Sequence, residues 1–256
     1  MMARGWAFPA CGGLAAGLAL LVPTLALAQS VTVDLGTGGQ AGATSRLVQI
    51  TALVTVLSLA PSLLVMGTAF TRIVIVLSLL RSAIGAQGTP PNTVLIGLAL
   101  FLTFYVMEPT LQHAWAAGVV PMSAGQVSEL EGLRLVAEPF HHFMASNVRG
   151  ADLQLFQDLA GLPEAADAGQ SSWRALVPAF MIGEMRRAFE MGFLLYLPFL
   201  VIDLVVGSVL MSLGMMMLPP NAVSLPFKLI FFVIVDGWRL VAGSLVQGFA
   251  PGVSGG

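Results

Sequence analysis

The sequence predicts an all-α, membrane-associated protein: helical hairpins with kinked long helices and a small helical exported domain. Three observations carry this. Of 256 residues, 57% are hydrophobic and only 9% are charged, whereas soluble domains carry charge on about a quarter of their residues. Mean hydropathy is +0.88, too apolar for a water-facing globule. Apolar runs with almost no charge recur along the chain, separated by Pro- and Gly-rich breaks.

Residues 1–28 read as a secretory signal peptide. Arg4 supplies the positive start, Leu14 to Leu27 the apolar stretch, and Ala26-Leu27-Ala28 the small-x-small cleavage pattern. The alternative is an uncleaved first membrane helix. Cys11, the single cysteine, allows no disulfide within the chain, and it precedes the apolar run instead of following it, unlike a lipoprotein signal. Residues 29–46, rich in Gly, Thr, Ser and Gln, read as a flexible exported tail.

Residues 47–107 hold two apolar segments. The first, Leu47 to Leu80, exceeds one span of about 20 residues. Pro61 and Gly67 interrupt it, which predicts a kinked helix or a hairpin. Arg72 lies in its second half, and Gly85 to Pro91 reads as a turn. The second segment, Asn92 to Met107, is expected to stop at Glu108-Pro109. Residues 108–175 read as an exported acidic helical domain. They hold eight acids, three arginines (Arg134, Arg149 and Arg174) and all three histidines, with apolar residues at helical spacing from Leu130 to Phe140. Residues 176–250 hold segments three and four. The third, Leu176 to Leu218, is again too long for one span; Pro219-Pro220-Asn221 breaks the chain before the fourth, Val223 to Phe249.

An outside N-terminus puts Arg72 and Arg81 on the cytoplasmic side, as the positive-inside rule prefers. It then starts segment three on the outer side with Arg186 and Arg187, against the rule. Either that topology is wrong, or these segments are not ordinary lipid-facing spans, a reading that also suits the charges buried within them.

No HExxH, nucleophile elbow or phosphate-binding Gly loop occurs. Neither an enzyme nor a cofactor or metal site is expected. A net charge of −2 gives no basis for nucleic-acid binding. Gly207-Ser208 is a weak echo of an intramembrane serine protease, and Ser208 with Ser212 fits a small-xxx-small helix contact. His141-His142 point about 100° apart on a helix, poor geometry for joint chelation. The charges inside the apolar segments say most, because ionisable groups at membrane depth are expensive and are paired or functional. Glu184, Glu190, Asp203 and Asp236 balance Arg186, Arg187, Lys228 and Arg239. Spacing allows the pairs Glu184–Arg187, Arg186–Glu190 and Asp236–Arg239 within helices. Asp203 and Lys228 lack close sequence partners. An ion or proton path through Asp203, in a coupled transporter, is the alternative reading. The run Met215-Met216-Met217 reads from sequence alone as helix-end packing.

The stretch Pro178-Ala179-Phe180-Met181-Ile182-Gly183-Glu184-Met185-Arg186-Arg187-Ala188-Phe189-Glu190-Met191-Gly192-Phe193 resembles a signature of the FliP family of flagellar type III export-gate subunits, which is related to the injectisome SctR family. Further matches are Pro198 to Leu204, Met211 to Pro220, Leu225 to Leu229, Val235 to Trp238, Phe70-Thr71-Arg72 and Pro90-Pro91-Asn92. The similarity spans about residues 47–249; Gly183 and Met185 depart from it. The resemblance implies a pore-forming ring, pentameric in the family, with FliQ and FliR. FlhA, FlhB and unfolded flagellar export substrates are the further implied partners. It implies a place in the bacterial inner membrane at the flagellar basal body, with a periplasmic-side domain, and a role in flagellum assembly. It implies that Met215, Met216 and Met217 form the gasket of the closed pore. It also implies a salt bridge between Glu184 and Lys228 of neighbouring subunits. Asp203 matches a family position without an assigned partner. The signal peptide and tail favour the flagellar branch.

Overall fold

A computed structural model describes residues 65–249 apart from 87, 164–166 and 216, together with Ile50, Thr51, Val54, Thr55, Ser58 and Ser62. The expected signal peptide, exported tail, Pro61 and Met216 lie outside the described residues. Residues 1–55 and 56–256 form two units. Described residues of the first are helical, with the Thr55 hydroxyl donating to the Thr51 carbonyl at 2.8 Å. The second unit carries the core and the site.

The described residues are helical, with no strand among them. Helix α1 (Phe70–Ile84) begins just past Gly67, where the sequence places an interruption, and ends at Gly85, whose φ of 77° closes a left-handed cap onto the Arg81 carbonyl. Helix α2 (Asn92–Ala114) starts after Pro91, as the Pro-Pro-Asn pattern predicts. It does not stop at Pro109. It runs on through a π turn (Trp115–Val119) into the short α3 (Val120–Ser123). Proline removes one backbone bond at a cost of about 3 kcal/mol. Here Met107 and Ala114, on either side of it, are buried, and their packing offsets that loss.

The acidic stretch folds as α4 (Glu129–Asn147) and α5 (Gly150–Ala160). Ser128 caps α4 by accepting from the Glu131 amide at 3.3 Å, with Glu131 in the capping-box position. Phe143, Met144 and Leu153 from these helices join the same buried core as the apolar segments. The π turn passes α4 so closely that a Cβ on Gly118 would fall 2.4 Å from Val136 Cγ2.

Helix α6 (Trp173–Ser212) runs 40 residues without a break, through Pro178 and Pro198. That is about 60 Å at 1.5 Å per residue. Its length misleads if each span is expected to be a separate helix. Its first half is buried along a stripe of small residues, Ala175, Ala179, Gly183, Ala188 and Gly192, with Leu176 and Phe180. Helix α1 packs along α6, against Gly192, and also meets α2 and α7 (Pro220–Ile234), while α5 packs on α6 at Gly183. Helix α7 is bent by 62° from α8 (Gly237–Gln247). The bend sits at Asp236, which adopts φ 51°, a left-handed conformation that Asp tolerates better than most residues. Asn92–Ser123 and Trp173–Ser212 are long and apolar enough to cross a membrane, and the bent α7–α8 pair is a third candidate.

At Gly192, α6 comes close against α1: a Cβ there would lie 3.2 Å from Leu79 Cβ and 2.2 Å from its Cδ1. Gly192→Val is expected to destabilise the fold by about 1–3 kcal/mol through overpacking, read as a lowered Tm of the purified protein in detergent.

Candidate functional site

Arg72 sits in the first turn of α1 on the face turned toward α6. Its neighbours Ile73, Val76 and Leu77 are buried apolar residues, so its charge must be met inside the protein. Glu184 on α6 meets it. Arg72 Nη2 donates to Glu184 Oε1 at 2.5 Å and Nε donates to Oε2 at 2.8 Å, a two-pronged pair whose side chains are 2% and 0% exposed. Arg187, one turn further along α6, lies 3.5 Å from Oε1 and donates to the Asn147 carbonyl at 2.9 Å. One carboxylate thus faces two guanidinium groups.

The chain's far end completes the cluster. Arg72 Nη1 donates to the Gly248 carbonyl at 3.0 Å. Its guanidinium carbon lies 3.6 Å from the centre of the Phe249 ring, a cation–π contact. Phe249 stacks on Phe143 of α4, which meets Phe180 of α6 edge-on, both at 5.9 Å. A single buried arginine therefore ties α1, α6 and the end of α8 together. Nearby, Asp152 Oδ2 of α5 is buried with no hydrogen-bond partner among the described residues and faces Gly183 of α6, where a Cβ would stand 3.4 Å away.

A second pair lies further along α6. Lys228 of α7 donates to Asp203 Oδ2 at 2.6 Å and to the Ala83 carbonyl at 3.1 Å. Ser224 donates to Asp203 Oδ1 at 2.5 Å. Lys228 thereby caps the carbonyl end of α1, where a cation is favoured. This supplies the partner that the sequence left unassigned for Asp203.

Glu184 and Lys228, expected to bridge neighbouring subunits, are not brought together within the chain. Each already has another partner: Glu184 has Arg72 and Arg187, and Lys228 has Asp203. The three pairs expected from helical spacing are present: Glu184–Arg187, Arg186–Glu190 at 2.9 Å and Asp236–Arg239 at 4.0 Å. Ser208 and Ser212 donate to carbonyls of their own helix. His141 contacts the Ser171 carbonyl through Nε2 and packs edge-on against Trp173.

Met215 and Met217 lie in the turn between α6 and α7. Met217 is 99% exposed. Large apolar side chains flank the turn on both helices, among them Val209, Met211, Leu213, Phe227 and Ile230, all exposed. Exposed apolar surface of this extent marks a face that meets protein or lipid.

Removing Arg72 leaves a carboxylate buried without its main partner, which typically costs about 3–5 kcal/mol. Arg72→Ala is expected to lower folding yield and Tm sharply. The double variant Arg72→Met, Glu184→Leu is expected to regain most of that stability, because well-packed apolar replacements of buried pairs are often neutral. Thermal unfolding in detergent checks both.

Residues 53–245 match the FliP family. The flagellar biosynthetic protein FliP of Caulobacter vibrioides is 56% identical over 243 residues, covering 94% of this chain and 91% of that one. The flagellar biosynthetic protein FliP of Rhizobium meliloti is 49% identical over 229 residues, covering 88% and 93%. That of Bacillus subtilis is 47% identical over 205 residues, covering 80% and 93%. With a helical fold, candidate membrane spans and a family match across most of its length, this chain belongs to the FliP family.

Proposed function

We propose that this chain is a non-enzymatic subunit of the flagellar protein export gate in the bacterial inner membrane, needed for flagellum assembly. The observation that carries the reading is the apolar α6–α7 hairpin, whose turn exposes Met215 and Met217. The ion pairs satisfy the deep charges within the chain, and the half of the hairpin nearest the turn exposes mainly apolar side chains, among them Val205, Val209, Met211, Phe227 and Ile230. Such a face suits packing against further copies and related gate subunits, in a ring with the hairpin turns toward a common axis. Met215, Met216 and Met217 then form a flexible gasket. Methionine has an unbranched, polarizable side chain that re-packs around varied surfaces. This suits a pore that must seal when idle and widen around an unfolded chain. FliQ, FliR, FlhA, FlhB and unfolded flagellar proteins are the partners this reading implies, with residues 108–175 on the periplasmic side.

Asp203 accepts from both Lys228 and Ser224. This supports a structural pair over the alternative of a proton-coupled transporter with Asp203 as its relay.

Replacing Met215, Met216 and Met217 with Ala is expected to make the closed pore conduct ions, measured as membrane conductance in cells or planar bilayers. Unchanged conductance would remove the gasket role. Lys228→Glu is expected to abolish swimming and export. Rescue by Asp203→Lys identifies the in-chain pair as the essential one. Rescue by Glu184→Lys instead identifies the bridge between copies that the family resemblance implies.

A further inference from the structure

One polar cleft lies apart from the Arg72–Glu184 cluster and the methionine turn. It encloses about 520 Å³ where the end of α1, the start of α2, the middle of α6 and the start of α7 meet. Arg81, Asn92, Tyr196 and Asn221 line it, and the Lys228–Asp203 pair forms part of its wall.

The cleft carries a surplus of positive charge. Arg81 and Lys228 face a single acid, Asp203, whose two oxygens are already taken by Ser224 and Lys228. Lys228 uses two of its three donors, on Asp203 and Ala83. Arg81 uses one nitrogen on the Asn92 side-chain oxygen and keeps most of its five N–H groups. Tyr196 and Asn221, residues that carry neutral donors, also line the wall. The carbonyl end of α1 would oppose an anion here, but Lys228 caps it. The starts of α2 and α7 favour negative charge.

We propose that this cleft binds an anion bearing a phosphate group. An arginine fork beside a lysine ammonium matches phosphate oxygens. The volume lies within the roughly 300–1,000 Å³ of small-molecule pockets, so it takes a phosphate with an organic group attached more readily than a bare ion. Helix α2 opens the candidate span Asn92–Ser123 at this cleft, and the end of a span is where lipid headgroups stand. The headgroup of an anionic phospholipid and a free phosphate are the two sources of that chemistry.

The test titrates the full-length protein in neutral detergent with short-chain phosphatidylglycerol, short-chain phosphatidylcholine and inorganic phosphate, reading thermal unfolding. A ligand of the folded state raises Tm with saturation. Phosphatidylglycerol is expected to stabilise at lower concentration than phosphatidylcholine. Arg81→Gln, which keeps a donor for Asn92, is expected to weaken it about tenfold through loss of a charge-assisted bond. Stabilisation by phosphatidylglycerol alone assigns the headgroup; equal stabilisation by inorganic phosphate, with the same loss in Arg81→Gln, assigns the free ion. Tyr196→Phe provides a second, milder change and is expected to weaken binding several-fold while leaving helical content by circular dichroism unchanged. Equal responses to the two lipids with none to phosphate, or unchanged affinity in both variants, overturns the site.

Discussion

The buried pair between Arg72 and Glu184 is the constraint on which the rest of the structure depends. Helices α1 and α6 meet along a seam of small and aliphatic residues, and such a seam gives little discrimination between registers one turn apart. A two-pronged guanidinium–carboxylate contact has one good geometry. A slip of one helical turn, about 5.4 Å, would leave both charges buried and unpaired. The same arginine holds the Gly248 carbonyl and the Phe249 ring, so fixing α1 on α6 also fixes where the chain's described end docks. Buried ion pairs contribute little net stability, because desolvation offsets much of the attraction. The value of this one lies in the arrangement it selects.

With that register set, Lys228 reaches back from α7 to the carbonyl end of α1 and to Asp203. This fixes the angle at which α7 returns from the methionine turn. The hairpin then leaves with its charges satisfied and its apolar side chains outward. A chain built this way has its ion pairs at one end and exposed apolar side chains at the other, the arrangement that the proposed ring would use. The cleft at the junction of α1, α2, α6 and α7 follows from the same geometry. Helix ends meeting at one point create polar space that side chains do not fill.

The fold class was legible because composition and apolar runs leave few alternatives. Several boundaries were legible too. Pro90-Pro91-Asn92 starts α2, Gly85 ends α1 and Pro219-Pro220 separates α6 from α7. Another boundary was hidden by a rule applied too strictly. Pro109, where a stop was expected, sits inside α2, because buried neighbours hold the backbone helical across a missing bond. Contacts at three or four residues' spacing were readable, as Glu184–Arg187 and Arg186–Glu190 demonstrate. The pair that matters most joins positions 72 and 184, and no local period connects them. Counting acids against bases in the last two apolar segments gave an even balance and concealed that Arg72, from the first segment, completes the cluster. The usable signal was that Arg72 stands alone among aliphatic residues, so its partner had to be an acid on another apolar helix. Asp203 and Lys228 were recognisable as unpaired in sequence, though not as each other's partner.

The central claim is that the deep charges are satisfied within each chain while the methionine turns face a common axis. The most direct measurement is a high-resolution structure of the assembled membrane complex purified with its partners. The account predicts Arg72 bonded to Glu184, and Lys228 to Asp203, within every copy, with Met215 and Met217 at the constriction. Glu184 of one copy bonded to Lys228 of the next, with Arg72 released from Glu184, would contradict it.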